Sequence, residues 1–324
     1  MKKNSSQQLS IVVPAYNEEE VLPEFHQRLS QVLDKIPMQT EIIYVNDGSH
    51  DRTLDILQQL REKDARVGVV DLSRNFGKEI ALSAGLHKAT GDAIVVIDAD
   101  LQDPPELIST FIEEWNNGYD VIYAQRSQRQ GETILKKSTA HAFYRIMQHL
   151  GQVRLPEDTG DYRLLSRRAV DAINSLGEYH RFMKGLFAWI GFKQKAVLYQ
   201  RDPRHAGNSK WNYWKLWNFA LEGITSFTTA PLKIATYVGL ITAMSAFAYG
   251  IYFLIRTIMY GNPVPGYPSL IVIILFLGGI QLMAIGVLGE YIGRIFTETK
   301  RRPLYFLNDY LPSQSGSIER GSDS

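Results

Sequence analysis

Two uncharged stretches near the C-terminal end constrain this chain more than any other feature. Ile234–Ile255 runs 22 residues and Ser269–Gly289 runs 21 without Asp, Glu, Lys, Arg or His. As helices each is about 30 Å long, the thickness of a bilayer's hydrocarbon core. Stretches of this length without charge are rare in soluble folds, where some face of the helix meets water. They are read as two membrane-crossing helices; a pair of buried core helices, or a hairpin that dips in and returns, are the alternatives. Between them Thr257–Pro268 contains Gly261, Pro263, Pro265, Gly266 and Pro268, a composition that makes a short turn. Lys233 precedes the first stretch, and Arg294, Lys300, Arg301 and Arg302 follow the second. The connection keeps only Arg256, at its edge. Basic residues flanking the pair on one side place both ends in the cytoplasm. Glu290 ends the second stretch, where it can reach the interface or pair with a nearby base such as Arg294, one helical turn on.

The segment before the pair is amphipathic. Trp211, Tyr213, Trp214, Trp217 and Phe219 recur at helical spacing with Lys210 and Lys215 interleaved. This suits a helix lying along the membrane surface, with Pro231 breaking the chain before it enters the bilayer. An ordinary core helix is the alternative. The polar stretch Met1–Gln8 has no apolar run behind its lysines, so no secretory signal is expected. Ser313–Ser324, rich in Ser, Gly and charge, reads as a disordered tail.

Charge and cysteine content exclude several classes. With 35 Lys plus Arg against 34 Asp plus Glu, the net charge of +1 does not suit a basic nucleic-acid binder. The absence of Cys removes disulfides, thiolate metal sites and a cysteine nucleophile.

The first two-thirds alternate strand and helix. Leu9–Pro14, Glu41–Val45, Val67–Leu72, Ala93–Ile97 and Asp120–Ala124 read as strands. Glu18–Lys35, Ser49–Lys63 (with Ser49 or Asp51 as N-cap), Lys78–Ala89 and a segment opened by Asp103-Pro104-Pro105-Glu106 read as helices. This alternation predicts an α/β domain with a mostly parallel sheet. Ligands in such sheets bind at the carboxyl ends of strands. Asn17-Glu18, Asn46-Asp47-Gly48-Ser49 and Asp98-Ala99-Asp100 all fall just after strands, so they converge on one edge. Neither GxGxxG nor GxxxxGK[ST] occurs. In Asp98-Ala99-Asp100 two carboxylates stand at i and i+2 where a hydrophobic strand ends. Hard oxygen donors there suit Mg²⁺ or Mn²⁺ with positions left for substrate phosphates.

Together, Val13-Pro14-Ala15-Tyr16-Asn17-Glu18, Asn46-Asp47-Gly48-Ser49 and the Asp98/Asp100 pair resemble the family-two glycosyltransferases of GT-A fold. The closer resemblance is to polyprenyl-phosphate sugar transferases, relatives of dolichol-phosphate mannose synthase. It extends over residues 9–300 and includes Arg74-Asn75-Phe76-Gly77-Lys78, Leu101–Glu106, Asp158–Leu164, and Arg204 followed by Ser209-Lys210. The resemblance implies a catalytic domain at 1–205, interfacial helices at 206–232, a membrane hairpin at 233–292 and a cytoplasmic tail at 293–324.

The same resemblance implies residue roles. Pro14, Tyr16, Glu18 and Asp47 hold the nucleoside. Asp98 meets the ribose or the metal, with Ala99 beside it; Asp100 binds the metal, and Gln102 is a third candidate ligand. Arg126, Arg204 and Lys210 contact phosphates of donor or acceptor, with Arg201 a weaker candidate. Asp158 and Asp161 serve the acceptor, orienting it or its basic partners; a base role is the lesser option, because a phosphate monoester is already an anion near neutral pH. For these carboxylates an ion pair with Arg163 or Arg167 is the purely structural alternative. Arg74, Asn75 and Lys78 frame the sugar, and Arg201–Ser209, around Gly207, forms a loop over the donor.

The implied activity is inverting transfer of glucose from UDP-glucose to polyprenyl (undecaprenyl) phosphate at a bacterial inner membrane. GDP-mannose or another UDP-sugar is the nearest alternative donor. A non-catalytic membrane scaffold is the rival from another class. A processive polysaccharide synthase would carry more spans and a Gln-Xaa-Xaa-Arg-Trp motif. Gly278, Gly279, Gly286 and Gly289 in the second span suggest a homo-oligomer.

Overall fold

The computed structural model describes residues 7–127, 159–179, 181–199, 230–260 and 266–314. Its centre is an eight-stranded sheet of β1 (Gln8–Ala15), β2 (Gln39–Asn46), β3 (Val67–Leu72), β4 (Ala93–Val96), β5 (Val121–Arg126), β6 (Thr159–Ser166), β7 (Gln194–Tyr199) and β8 (Leu307–Leu311), in the order β7-β5-β6-β4-β1-β2-β3-β8. Strands β3, β2, β1 and β4 are parallel neighbours. Strand β6 runs antiparallel between β4 and β5, β7 is parallel to β5, and β8 closes the other edge antiparallel to β3.

Period-two side-chain alternation explains why both faces are covered. Leu9, Ile11, Val13, Ile42 and Tyr44 join one core, with Leu22 and Phe25 of α1 (Leu22–Leu33), Leu57 of α2 (Thr53–Lys63), and Ile108 and Phe111 of α4 (Leu107–Asn116). Val12, Ile43, Val45 and Val70 join the other, with α3 (Lys78–Lys88), α5 (Arg167–Ser175) and α6 (Met183–Trp189). Helix α3 lies so close to the sheet that a Cβ on Gly85 would stand 2.3 Å from Cγ1 of Val12.

Helix starts differ from the motif reading. Helix α2 begins at Thr53, not Ser49, with Oδ1 of Asp51 accepting from the Thr53 N–H. Ser49 instead accepts, on Oγ, from the Asn17 N–H at 3.1 Å. Its hydroxyl ties two loops together where a cap was expected.

Helices α7 (Ala230–Tyr260) and α8 (Tyr267–Thr299) are long and apolar enough to cross a membrane and pack against each other. Large apolar side chains such as Ile241, Phe247 and Leu282 point away from the chain. Helix α7 continues through Thr257–Tyr260, which hold no breaker, and Pro268 falls in the first turn of α8, where proline is tolerated. Arg294 and Glu290 pair at 3.1 Å. The tail behaves differently from a free end. Residues 293–299 continue α8, and β8 rejoins the sheet against β3. Glu298 accepts from the Tyr179 N–H, and Tyr305 meets His87 at 3.1 Å, so the end of α8 is also bound to the α/β domain. Of the segment expected to lie along the membrane surface, 206–229 is outside the described residues, while 230–232 already open α7, with Pro231 in its first turn; the 201–209 loop and the last ten residues are also outside the described residues.

Candidate active site

The carboxyl ends of the parallel strands gather the polar clusters, because strand direction aims every following loop at one edge. The loop after β1 and the turn after β2 are zipped together. The Glu18 N–H donates to Thr53 Oγ1, the Glu19 N–H to Asp51, and Asn17 Oδ1 accepts from the His50 N–H. Asn17 takes a left-handed φ of 54° to do so. Tyr16 is left 42 % exposed beside the half-buried Pro14, an aromatic face open to solvent at the strand end.

Asp47 is buried and spans the next loop. Its Oδ1 accepts from the Phe76 N–H at 2.7 Å and its Oδ2 from the Gly77 N–H at 3.0 Å. Burial raises its pKa, against the lowering effect of the two N–H groups and Arg74. Gly48 sits at φ +63°, and a Cβ there would meet the Arg74 carbonyl carbon at 2.3 Å. The turn Asn46–Ser49 and the loop 73–77 are therefore one packed unit, with glycine the residue that fits the crossing.

The Asp98-Ala99-Asp100 turn follows β4, with Ala99 buried and Leu101 at φ 59°. Asp98 faces Lys78, whose Nζ lies 2.7 Å from Asp98 Oδ2 and 2.6 Å from Asp161 Oδ2. Thus Asp161 pairs with Lys78, not with the side chain of Arg163 or Arg167. Arg163 donates to the backbone carbonyls of Gly160 and Asp161 and stacks on Phe187. Arg167 is spent on the carbonyls of Ala89 and Gly91. Burial by itself would raise the Asp161 pKa, but Lys78, Lys184 and Arg163 outweigh it and hold the carboxyl well below the usual carboxylate range. Asp98 moves the other way, raised by burial and by the charges of Asp161 and Asp100 despite Lys78. Glu79 is pushed up to about 8, by burial first and Asp161 second.

Asp161 Oδ1 and Arg126 Nε are both buried without a hydrogen-bond partner. A Cβ on Gly160 would lie 4.0 Å from Arg126 Nη2, so Arg126 approaches the strand on the face that Gly160 presents, while Asp161, the next residue, points to the other face toward Lys78. A buried acceptor and a buried donor left open at the carboxyl edge are each a group that a ligand can satisfy. Beside Arg126, the Tyr199 hydroxyl donates to Asp103 at 2.6 Å, bracing the loop that follows Gln102.

For a divalent cation the donor set is suitable but open. Among the described residues no three His, Cys, Asp or Glu converge. Asp98 and Asp100 offer carboxylate oxygens, and Gln102, nearly buried, donates its N–H to Asp100 Oδ1 at 3.1 Å. Two hard ligands without a closed cage fit an ion that completes its shell with water and substrate phosphates.

Of the motif residues, the structure brings Pro14, Tyr16, Glu18, Asp47, Asp98, Ala99, Asp100, Gln102, Arg126 and Asp161 to the carboxyl edge. Asp158, Arg201, Arg204 and Lys210 lie outside the described residues. The motifs do not include Lys184, whose charge helps hold Asp161 ionised, or Glu79, which burial and, in turn, Asp161 keep protonated. Lys78 had only a framing role, and its bridge between two carboxylates left no local signal.

Comparison with known proteins accords with this arrangement. Residues 10–173 match the model for glycosyl transferase family 2, and residues 230–295 match the GtrB C-terminal hairpin. An uncharacterized glycosyltransferase of Synechocystis is 52 % identical over 94 % of this chain and 98 % of its own length. The bactoprenol glucosyl transferase of Shigella phage SfX is 50 % identical over 92 % of this chain and 98 % of its own. A prophage bactoprenol glucosyl transferase homolog of Escherichia coli K12 has the same identity and coverage. Among solved structures the likeness is remote: a glucosyl-3-phosphoglycerate synthase from Mycobacterium tuberculosis is 20 % identical over 68 % of this chain and 78 % of that one, with a TM-score of 0.45. The chain belongs to glycosyl transferase family 2, as a GT-A-type α/β transferase domain that carries a GtrB-type C-terminal hairpin.

Proposed function

We propose that this chain transfers glucose from UDP-glucose to a polyprenyl phosphate at a membrane surface, with inversion at the sugar carbon. The observation that carries the reading is the match to a bactoprenol glucosyl transferase through both the catalytic domain and the hairpin, at 50 % identity over 92 % of the chain. The geometry supports it. A carboxyl-edge site faces solvent for a soluble donor, while helices α7 and α8 expose apolar side chains as lipid-facing helices do.

In this reading the nucleoside rests on Tyr16 and Pro14, with Glu18 and the Asp47 unit shaping its pocket. Asp98 and Asp100 hold Mg²⁺ or Mn²⁺, with Gln102 in reserve; the ion, when bound, neutralises charge on the departing diphosphate. An oxygen of the lipid phosphate attacks C1 of glucose as the bond from C1 to UDP breaks on the opposite side. That oxygen is already anionic, so no proton need be removed in the step. Asp161, kept ionised, orients the acceptor or the sugar through its open Oδ1, and Arg126 offers its open Nε to phosphate. Asp158, Arg204 and Lys210 complete the acceptor side in the same proposal. The hairpin crosses the bilayer twice, leaving the catalytic domain and both termini in the cytoplasm. The acceptor's tail stays in the membrane and its head group is met at the interface.

The test is a donor panel with the detergent-solubilised chain: radiolabelled UDP-glucose, UDP-N-acetylglucosamine and GDP-mannose, each with polyprenyl phosphate, with and without Mg²⁺ or Mn²⁺. The expected outcome is lipid-extractable label from UDP-glucose, abolished by EDTA and restored by either ion. Label from another donor alone overturns the substrate; no transfer from any donor favours the scaffold.

A further inference from the structure

The strand that follows the membrane hairpin reaches the candidate donor site through side chains that the motifs do not include. Asp71 stands near the end of β3, paired with Asn46 of β2 on one side and with Asp309 of β8 on the other. Its Oδ1 accepts from Nδ2 of Asn46 at 2.7 Å, and its Oδ2 from Nδ2 of Asn308 at 3.2 Å. Asn46 is thereby oriented: with its amide nitrogen on Asp71, its Oδ1 accepts from the Ser49 N–H at 3.2 Å. Ser49 Oγ carries the connection on to the Asn17 N–H. A second link runs beside the first. The Phe306 carbonyl accepts from the Ser73 N–H at 2.9 Å, at the start of the loop that Asp47 grips.

We propose that Asp71 is a positioning residue for the turn Asn46–Ser49, and that β8 supplies Asn308 to fix it, so that the donor site is complete only when the chain returns from the hairpin to the sheet. A carboxylate that accepts two amide N–H groups sets the orientation of both amides, and its bonds are stronger than those between neutral partners. Without it, the Asn46 amide is free to rotate and the Ser49 N–H loses its fixed acceptor. Asp71 acts through Asn46 and touches no substrate in this scheme. The inference rests on the reading of the Asn46–Ser49 turn as a nucleotide contact.

The experiment uses the full chain in detergent and compares wild type with Asp71→Ala, Asp71→Asn and Asn308→Asp, the last placing two carboxylates face to face. Hydrogen exchange of residues 46–50 is measured without ligand. KM for UDP-glucose, KM for polyprenyl phosphate, kcat and the unfolding midpoint are measured alongside. Asp71→Ala and Asn308→Asp should speed exchange in the turn and raise the donor KM, Asp71→Ala by about tenfold, the scale of one charge-assisted hydrogen bond. Lipid KM and kcat should stay within about twofold of wild type. Asp71→Asn, which keeps an acceptor for Asn46, should recover most of the loss. Unchanged exchange in both Asp71→Ala and Asn308→Asp overturns the proposal, as does a fall in kcat, both affinities and the unfolding midpoint together. Faster exchange with an unchanged donor KM supports the Asp71 link and overturns the nucleotide reading of the turn instead.

Discussion

At Lys78 one ammonium group stands between carboxylates drawn from the ends of two different strands, 2.7 Å from Asp98 and 2.6 Å from Asp161. Its removal leaves two facing anions, and each carboxyl then binds a proton more readily. In Lys78→Met the acid limb of the kcat/KM profile should therefore move to higher pH, by about one unit, with activity reduced at every pH. Glu79 gives a second pH signature. Burial and Asp161 push it up to about 8 from an ordinary value of 4.5, against Lys78, Lys184 and the Met183 N–H. The folded chain thus keeps a proton there that the unfolded chain releases. Its contribution to stability is complete below the ordinary value and is lost as pH rises toward about 8. The unfolding midpoint of wild type relative to Glu79→Gln should fall across that window, as thermal melts at a series of pH values would show. Gly48 is a steric case. With φ at +63° and the Arg74 carbonyl carbon 2.3 Å from any Cβ, Gly48→Ala should cost at least about 1–3 kcal/mol in urea unfolding.

Among the elements, the strands of the α/β domain were readable from the chain because burial on both faces leaves short, continuous apolar runs. Helix starts were read less well. Ser49 and Asp51 both look like caps, but Ser49 had a better use in joining two loops, and the choice depends on Asn17, far away in sequence. The hairpin was legible for the opposite reason: its helices carry apolar side chains on the faces turned away from the chain as well, so absence of charge is a local property that needs no knowledge of neighbours. A carboxylate placed at Ile241, which points outward near the middle of α7, should cost about 3 kcal/mol of insertion. Ile241→Asp should accordingly shift the chain from the carbonate-resistant membrane fraction to the soluble or degraded fraction.

For the whole molecule, β8 makes topology testable. A strand after the hairpin that pairs with β3 requires the segments before and after α7 and α8 to share a compartment. The chain has no native cysteine, so single-cysteine variants report without background. In sealed membrane vesicles, Asp309→Cys and Asn262→Cys should react with a membrane-impermeant maleimide from opposite sides. Labelling of both from one side would show that the hairpin does not cross. By itself the amino-acid order determined the alternation of strand and helix, the edge on which Asp47, Asp98 and Asp100 collect, and the greasy pair at the end. Each is written in residues close together, in a period of two, a period of three to four, or an unbroken apolar run. Only the tertiary structure decided that Lys78 would meet both Asp98 and Asp161, and that the tail would come back as an edge strand and hold Asp71. Those contacts join residues tens to hundreds of positions apart, and charged side chains and exposed strand edges carry no local periodicity that names their partners.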